Sequence, residues 1–176
     1  MTDLNMHLKN YIRDIPNFPI PGIMFRDITT LLVHADAFKQ AIDGLLAPYR
    51  GEHIDKVVVI ESRGFIFGAP MAYELGAGVV PVRKPGKLPS TTITEEYSLE
   101  YGTNTLQLHT DAISAGERVI IVDDLLATGG TVEATIKLVQ SQGGEIVGVS
   151  FLAELMDLKG RERVSGVPLH SLVQYD

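Results

Sequence analysis

The chain has 176 residues, 45% of them hydrophobic, with a formal net charge of −7 and no cysteine. That length suits one domain with an ample core; the acidic balance argues against nucleic acid as the main partner, and the cysteine count excludes disulfides, thiolate metal sites and thiol nucleophiles. No apolar run is long enough to span a membrane, and residues 1–10 lack an apolar signal core, so a cytoplasmic protein is expected.

In chain order, Leu4, Leu8, Tyr11 and Ile12 share a helical face and predict a short helix over 3–13. Pro16, Pro19 and Pro21-Gly22 then force an extended, turn-rich stretch, and Phe18 to Thr29 shows neither helical nor strand periodicity. Asp36 can cap a helix whose buried face is Phe38, Ala41, Ile42, Leu45 and Leu46, ended by Pro48. Val57–Ile60 reads as a buried strand, Phe65–Leu75 as a helix and Val79–Val82 as the next strand. Residues 84–104 have no long apolar period and predict a long loop or exposed hairpin; Leu106–His109 alternates like a strand. There follow strand 119–122, helix 130–140, a Gly143-Gly144 stop, strand 146–153, helix 157–164 and a last strand near 168–173. Strands alternating with helices predict an α/β fold with a mostly parallel central sheet flanked by helices.

The chemistry concentrates in four segments. Val119 to Val122 run into Asp123 and Asp124, then into Ala127-Thr128-Gly129-Gly130-Thr131 at a helix start. Small residues at a helix N-terminus let successive backbone N–H groups close around a phosphate. The two carboxylates before them can accept hydrogen bonds from sugar hydroxyls, so the segment suits a ribose 5-phosphate. Ser62, Arg63 and Gly64 form a second strand-to-helix turn able to bind an anion through backbone N–H groups. Arg83, Lys84 and Lys87 place three cations in five residues of an acidic protein, as a polyphosphate ligand requires. Tyr97, Glu100 and Tyr101 sit in the aperiodic stretch; a long loop inside a compact domain tends to serve as a lid. The five histidines show no metal-ligand spacing, and neither a GxxxxGK[ST] loop nor a GxGxxG fingerprint occurs.

The segment Val122 to Thr131 resembles the phosphoribosyl-pyrophosphate (PRPP) motif of type I phosphoribosyltransferases, in the form found in their adenine-specific branch. Glu61 to Phe65 is similar to the pyrophosphate loop of that branch, and Tyr97 to Gly102 resembles its catalytic flap. The resemblance runs from Phe18 to Asp176. It implies a single type I phosphoribosyltransferase domain over 1–176, with an N-terminal/C-terminal hood (about 1–35 at the N-terminal end), a flexible loop at about 84–104 and the PRPP motif at 119–131. It implies a pentosyltransferase of purine salvage that makes AMP and pyrophosphate from adenine and PRPP. Mg²⁺ would be bound through PRPP and pyrophosphate with no direct protein ligand expected, and the enzyme would be a homodimer.

By the same resemblance, Ala127 to Thr131 hold the 5′-phosphate; Ser62, Arg63, Gly64, Arg83, Lys84 and Lys87 hold pyrophosphate, the 83–87 patch partly across the dimer interface. A non-proline cis peptide is expected at Glu61–Ser62. Backbone groups at Met24 and Arg26 read the base edge, Phe25 stacks on the ring and Leu155 closes its other face. Glu100 contacts the base N7, and Tyr97 and Tyr101 belong to the lid. Two rival readings are a transferase for another base and a non-catalytic PRPP-sensing regulator. The second would need a DNA-binding domain or a basic surface, which neither length nor charge supports.

Overall fold

The computed structural model describes residues 7–98 and 103–176. Five strands form one parallel sheet: β3 (Lys56–Ile60), β4 (Gly78–Val82), β7 (Arg118–Leu126), β8 (Glu145–Leu155) and β9 (Leu169–Tyr175), in the order β4-β3-β7-β8-β9. β3 pairs with β4 on one side and with β7 on the other, Val57 facing Val79 and Ile120. The order therefore reverses between β3 and β7. In open parallel sheets, the carboxyl ends of the strands flanking such a switch point are where ligands bind.

Valine and isoleucine fill the strands because both faces are covered. Val57, Val59, Ile120 and Val122 pack with helix α2 (Ala35–Leu46) and helix α3 (Gly64–Leu75). Val58, Ile60, Ile121 and Val149 point the other way, against helix α4 (Gly130–Ser141) and the hairpin of β5 (Thr92–Ser98) and β6 (Thr103–His109). Gly68 lets α3 approach the sheet, since a Cβ there would lie 2.0 Å from a Val59 methyl group.

Near the N-terminus, β1 (Arg13–Pro16) pairs antiparallel with β2 (Met24–Asp27), followed by the short helix α1 (Thr29–Leu32). This stretch departs from the sequence reading in two ways. Arg13 already begins a strand, so only residues 7–9 of the predicted helix are helical among the described residues. Met24–Asp27 is a strand without alternation, because it pairs with β1 alone and buries little beyond Asp27. Asp36 is not the cap of α2; it lies in the first turn behind His34. The predicted helix 157–164 is two 3₁₀ turns, Met156–Leu158 and Gly160–Arg163, divided by Lys159 at φ 51°. The 84–104 segment resolves as the hairpin alternative. Its stem is anchored: Leu106 and Leu108 are buried, Ile93 and Tyr97 pack on the core, and Glu95 pairs with Lys137 of α4 at 3.4 Å.

Candidate active site

The loops after β3 and β7 meet at the switch point. β7 does not stop at Val122; its pairing with β8 continues through Asp123 opposite Phe151 and Leu126 opposite Glu154. Both acids are therefore held on a buried strand rather than on a loop. Asp123 and Asp124 line one cleft of about 240 Å³ together with Glu61, Arg63, Lys84, Tyr97, Asn104 and Thr131. A smaller pocket of about 60 Å³ adjoins it, lined by Asp123, Leu125, Ala127, Thr128, Gly129 and Thr131. Asp123 is shared by both, so the phosphate-type loop and the acid pair form one continuous surface.

The acids sit in a costly place. Burial pushes the Asp123 carboxyl well above the usual carboxylate range, and the neighbouring Asp124 charge pushes it further. Asp124 is raised too, again by burial, while Arg63 opposes the rise from 3.0 Å. The Asp124 backbone N–H donates to Asp123 Oδ1 at 2.8 Å, fixing that carboxylate. Two crowded acids, one of them paired with a half-exposed cation, suit a site that meets positive charge or hydroxyl donors.

The loop Ala127–Gly129 leads into α4 with Gly129 at φ 84° as N-cap. The first N–H groups of a helix have no partner within it, which makes this terminus an anion acceptor. Gly64 is the first residue of α3, after Arg63 as N-cap, and its missing Cβ leaves room: a Cβ would lie 2.8 Å from Val122 O and 3.0 Å from Asp123 Oδ1. The Glu61–Ser62 peptide before it is cis, as expected. Glu61, to which the sequence reading gave no role, accepts from Arg83 Nε at 3.1 Å and from the Lys84 backbone N–H at 2.7 Å. It ties the basic patch to the 62–64 loop. Lys84 lines the cleft and Lys87 is exposed beyond it.

On the other side of Arg63, its guanidinium stands 5.5 Å from the centre of the Phe25 ring. Arg26 lies 3.9 Å over the Tyr175 ring and pairs with Asp14. Tyr175 in turn is opposite Leu155 across β8 and β9. Burial drives the Tyr175 hydroxyl up to about 12, keeping it protonated. Arg26 and Leu155 thus meet at Tyr175, and Phe25 meets Arg63, which pairs with Asp124; Met24 stands beside Phe25 on β2, opposite Pro16. Tyr97 lines the cleft; Glu100 and Tyr101 lie outside the described residues. Sequence reasoning also missed Asn104 and Tyr175, whose part in the site depends on strand pairing and leaves no local pattern.

A model of the phosphoribosyl transferase domain matches residues 30–167. The chain is 55% identical over 172 residues to the adenine phosphoribosyltransferase of Roseiflexus sp., an alignment covering 98% of this chain and 100% of that one. The chain belongs to the adenine phosphoribosyltransferase family. Solved adenine phosphoribosyltransferases share the fold. That of Rhodothermus marinus is 53% identical with a TM-score of 0.95, covering 99% of this chain and 100% of its own. That of Saccharomyces cerevisiae, complexed with D-2,5-dideoxy-2,5-imino-altritol 1,6-bisphosphate and adenine, is 38% identical with a TM-score of 0.91, covering 98% and 99%. The family's reaction class is pentosyl transfer, and the fold is the type I phosphoribosyltransferase fold.

Proposed function

We propose that this site transfers the 5-phosphoribosyl group of PRPP to N9 of adenine, giving AMP and pyrophosphate in purine salvage. The observation that carries the reading is the convergence, at one switch point, of an acid pair, two helix N-terminal loops and a basic patch. Ala127 to Thr131 cradle the 5′-phosphate with backbone N–H groups. Asp123 and Asp124 accept from the 2′- and 3′-hydroxyls and favour the cationic sugar that develops as the C1′–O bond breaks. Ser62, Arg63, Gly64, Arg83, Lys84 and Lys87 receive the departing pyrophosphate. Arg63 pairs with Asp124 at 3.0 Å before substrate arrives.

Adenine is read by backbone groups at Met24 and Arg26, stacked on Phe25 and closed off by Leu155. A carbonyl acceptor at that edge attracts the 6-amino group and repels a 6-oxo group. Tyr97, Glu100 and Tyr101 act as a lid that excludes water from the reacting sugar, with Glu100 contacting N7 of the base. The hairpin within 84–104 and a hood formed by residues up to about 35 with the C-terminal strand complete this organisation. Among the described residues, no group of three or more His, Cys, Asp or Glu could hold a metal ion. Mg²⁺ would be carried in on PRPP, Asp123 and Asp124 would favour it by their charge, and it would neutralise the pyrophosphate charge. Homodimer formation is supported by the apolar surface that Ile66 and Tyr73 of α3 and Val79 of the edge strand β4 leave exposed.

The test is a panel of bases. PRPP-dependent nucleotide formation should favour adenine over hypoxanthine, guanine, xanthine and orotate by at least about 10³-fold in kcat/KM, because a mismatched buried polar edge costs several kcal/mol. Comparable kcat/KM for hypoxanthine would overturn the reading.

A further inference from the structure

The turn that follows β8 lies behind the Ala127–Thr131 loop, and its contact there is made by glycines on both sides. A Cβ on Gly160 would sit 2.1 Å from the Ala127 carbonyl oxygen and 3.0 Å from the Gly129 nitrogen. Conversely, a Cβ on Gly129 would sit 2.5 Å from the Gly160 carbonyl oxygen. Two stretches of backbone are thus in direct contact, with no flexible side chain between them to give way. Gly160 is buried and is not among the residues of positive φ, so what forbids a side chain there is the neighbouring loop and not its own conformation.

The turn is locked from the other end. Glu154, 1% exposed, receives the Arg161 fork through Nε at 3.0 Å and Nη2 at 2.6 Å, and the Ser171 hydroxyl at 2.6 Å. These donors hold its carboxyl below the usual range against the upward pull of burial. Arg161 also donates to Leu169 O at 3.3 Å, and Arg163 reaches Glu133 in the first turn of α4 at 3.5 Å. A planar fork on a buried carboxylate fixes both distance and orientation. The residue next to that fork is Gly160.

We propose that Gly160, held in place by the Glu154–Arg161 pair, is a positioning residue for the 5′-phosphate: it sets the curvature of the Ala127–Thr131 loop from behind. The proposal rests on the reading that this loop holds the 5′-phosphate. Adding a methyl group at 160 pushes the Ala127 carbonyl and turns the loop N–H groups off the phosphate, while the 62–64 loop on β3 is untouched. The effect is therefore a split between two anion sites, which a general loss of stability would not produce.

The experiment compares wild type, Gly160→Ala, Arg161→Lys and, as a control in the loop itself, Thr131→Ala. Kd for AMP is measured by titration calorimetry, together with the inhibition constant for pyrophosphate. Gly160→Ala should weaken AMP by at least about tenfold, since displacements near 1 Å can cost up to about a hundredfold. Pyrophosphate inhibition should change less than about twofold, its loop being separate. Arg161→Lys, which keeps the charge and loses the fork, should show the same split at smaller size, and it carries the test if Gly160→Ala does not fold. Wild-type AMP affinity in Gly160→Ala, or no split in either variant, overturns the proposal. If Thr131→Ala weakens AMP while the 160 and 161 variants do not, the brace is wrong and the phosphate loop stands. If the wild type binds adenosine, which lacks the 5′-phosphate, as tightly as AMP, the phosphate-loop reading fails with it.

Discussion

The acid pair makes opposed demands on stability and catalysis, and substitution by asparagine separates them. Asp123→Asn keeps Oδ1, so the bond from the Asp124 N–H at 2.8 Å survives. What it removes is a buried charge beside another acid. Relieving such a functional-site cost typically returns about 1 kcal/mol, or a Tm rise of about 2–4 °C at this chain length. Asp124→Asn removes a buried charge as well, but also the 3.0 Å pair with Arg63, so the two effects offset and Tm should move by no more than about 2 °C. The raised carboxyls add a pH signature. A group that binds its proton more tightly in the folded state lends stability at low pH that is lost as pH rises through its folded pKa. The wild-type Tm should therefore decline as pH rises above the ordinary carboxylate range, and Asp123→Asn should flatten that decline. Catalysis moves the other way. Both variants should lose about 10²–10³-fold in kcat, the usual scale for one group that stabilises developing charge. AMP, whose hydroxyls can still donate to the amide oxygen, should lose only the charge-assisted part of one bond, about 1 kcal/mol or roughly fivefold in Kd. Steady-state kinetics, AMP titration and thermal melts on the same preparations decide it. Wild-type turnover in both variants, or AMP affinity falling as far as kcat, would refute the assignment of the pair to the cationic sugar.

Two further substitutions probe the frame around the site. Asp27 is held down to about 2 by the Thr29 hydroxyl, by Arg13 and by the Thr29 N–H, against an ordinary 3.8; its stabilisation is complete above about pH 4 and drains away as pH falls toward 2, so Asp27→Asn should flatten the acid limb of the Tm–pH curve, and an unchanged limb would show that this carboxylate is not what acid unfolds. Glu61→Gln loses the charge that orients Arg83 and Lys84 and should raise KM for PRPP about five- to tenfold while changing KM for adenine less than about twofold; initial-rate kinetics test it, and equal increases in both constants would mean that Glu61 does not serve the pyrophosphate side.

Much of the sheet could be read from the chain because its strands are short β-branched runs between turn signals. Val57–Ile60, Val79–Val82 and Val119–Val122 all lie in strands, and helices α3 and α4 begin within one residue of their expected starts. The errors fell where tertiary context decides. β7 runs four residues past Val122 because β8 pairs with it there, and an acid inside a strand looks like a strand end when the partner is unknown. The 157–164 stretch has helical composition but contains Gly160, and Lys159 takes a left-handed conformation that no helix interior accepts. Thr92 to Glu96, part of an apparently aperiodic loop, are stem residues paired with Thr105 to His109; deleting them would dismantle the hairpin and not merely shorten a lid.

The candidate site divides along the same line. Phosphate loops and their acids are local: a strand, a small-residue turn and a helix start must be consecutive in sequence for the N–H groups to converge, so their signature is consecutive too. What brings the two loops together is not local. Residues 61–64 and 123–131 become neighbours only because β7 is laid against β3 on the side opposite β4, and strand order is invisible in a run of valines. The same holds for Glu61, Tyr175 and Gly160, which act through partners 22 to 149 residues away: Glu61 on Arg83, Tyr175 on Arg26, Gly160 on Ala127. A glycine in a loop can mark a turn, a close approach or nothing. Only the position of the Ala127 carbonyl, 2.1 Å from where its Cβ would be, distinguishes a backbone contact from a mere absence of side chain. Groups that touch substrate are therefore legible where backbone geometry forces them into a motif, whereas groups that position those motifs become legible only once the fold has set the distances between them.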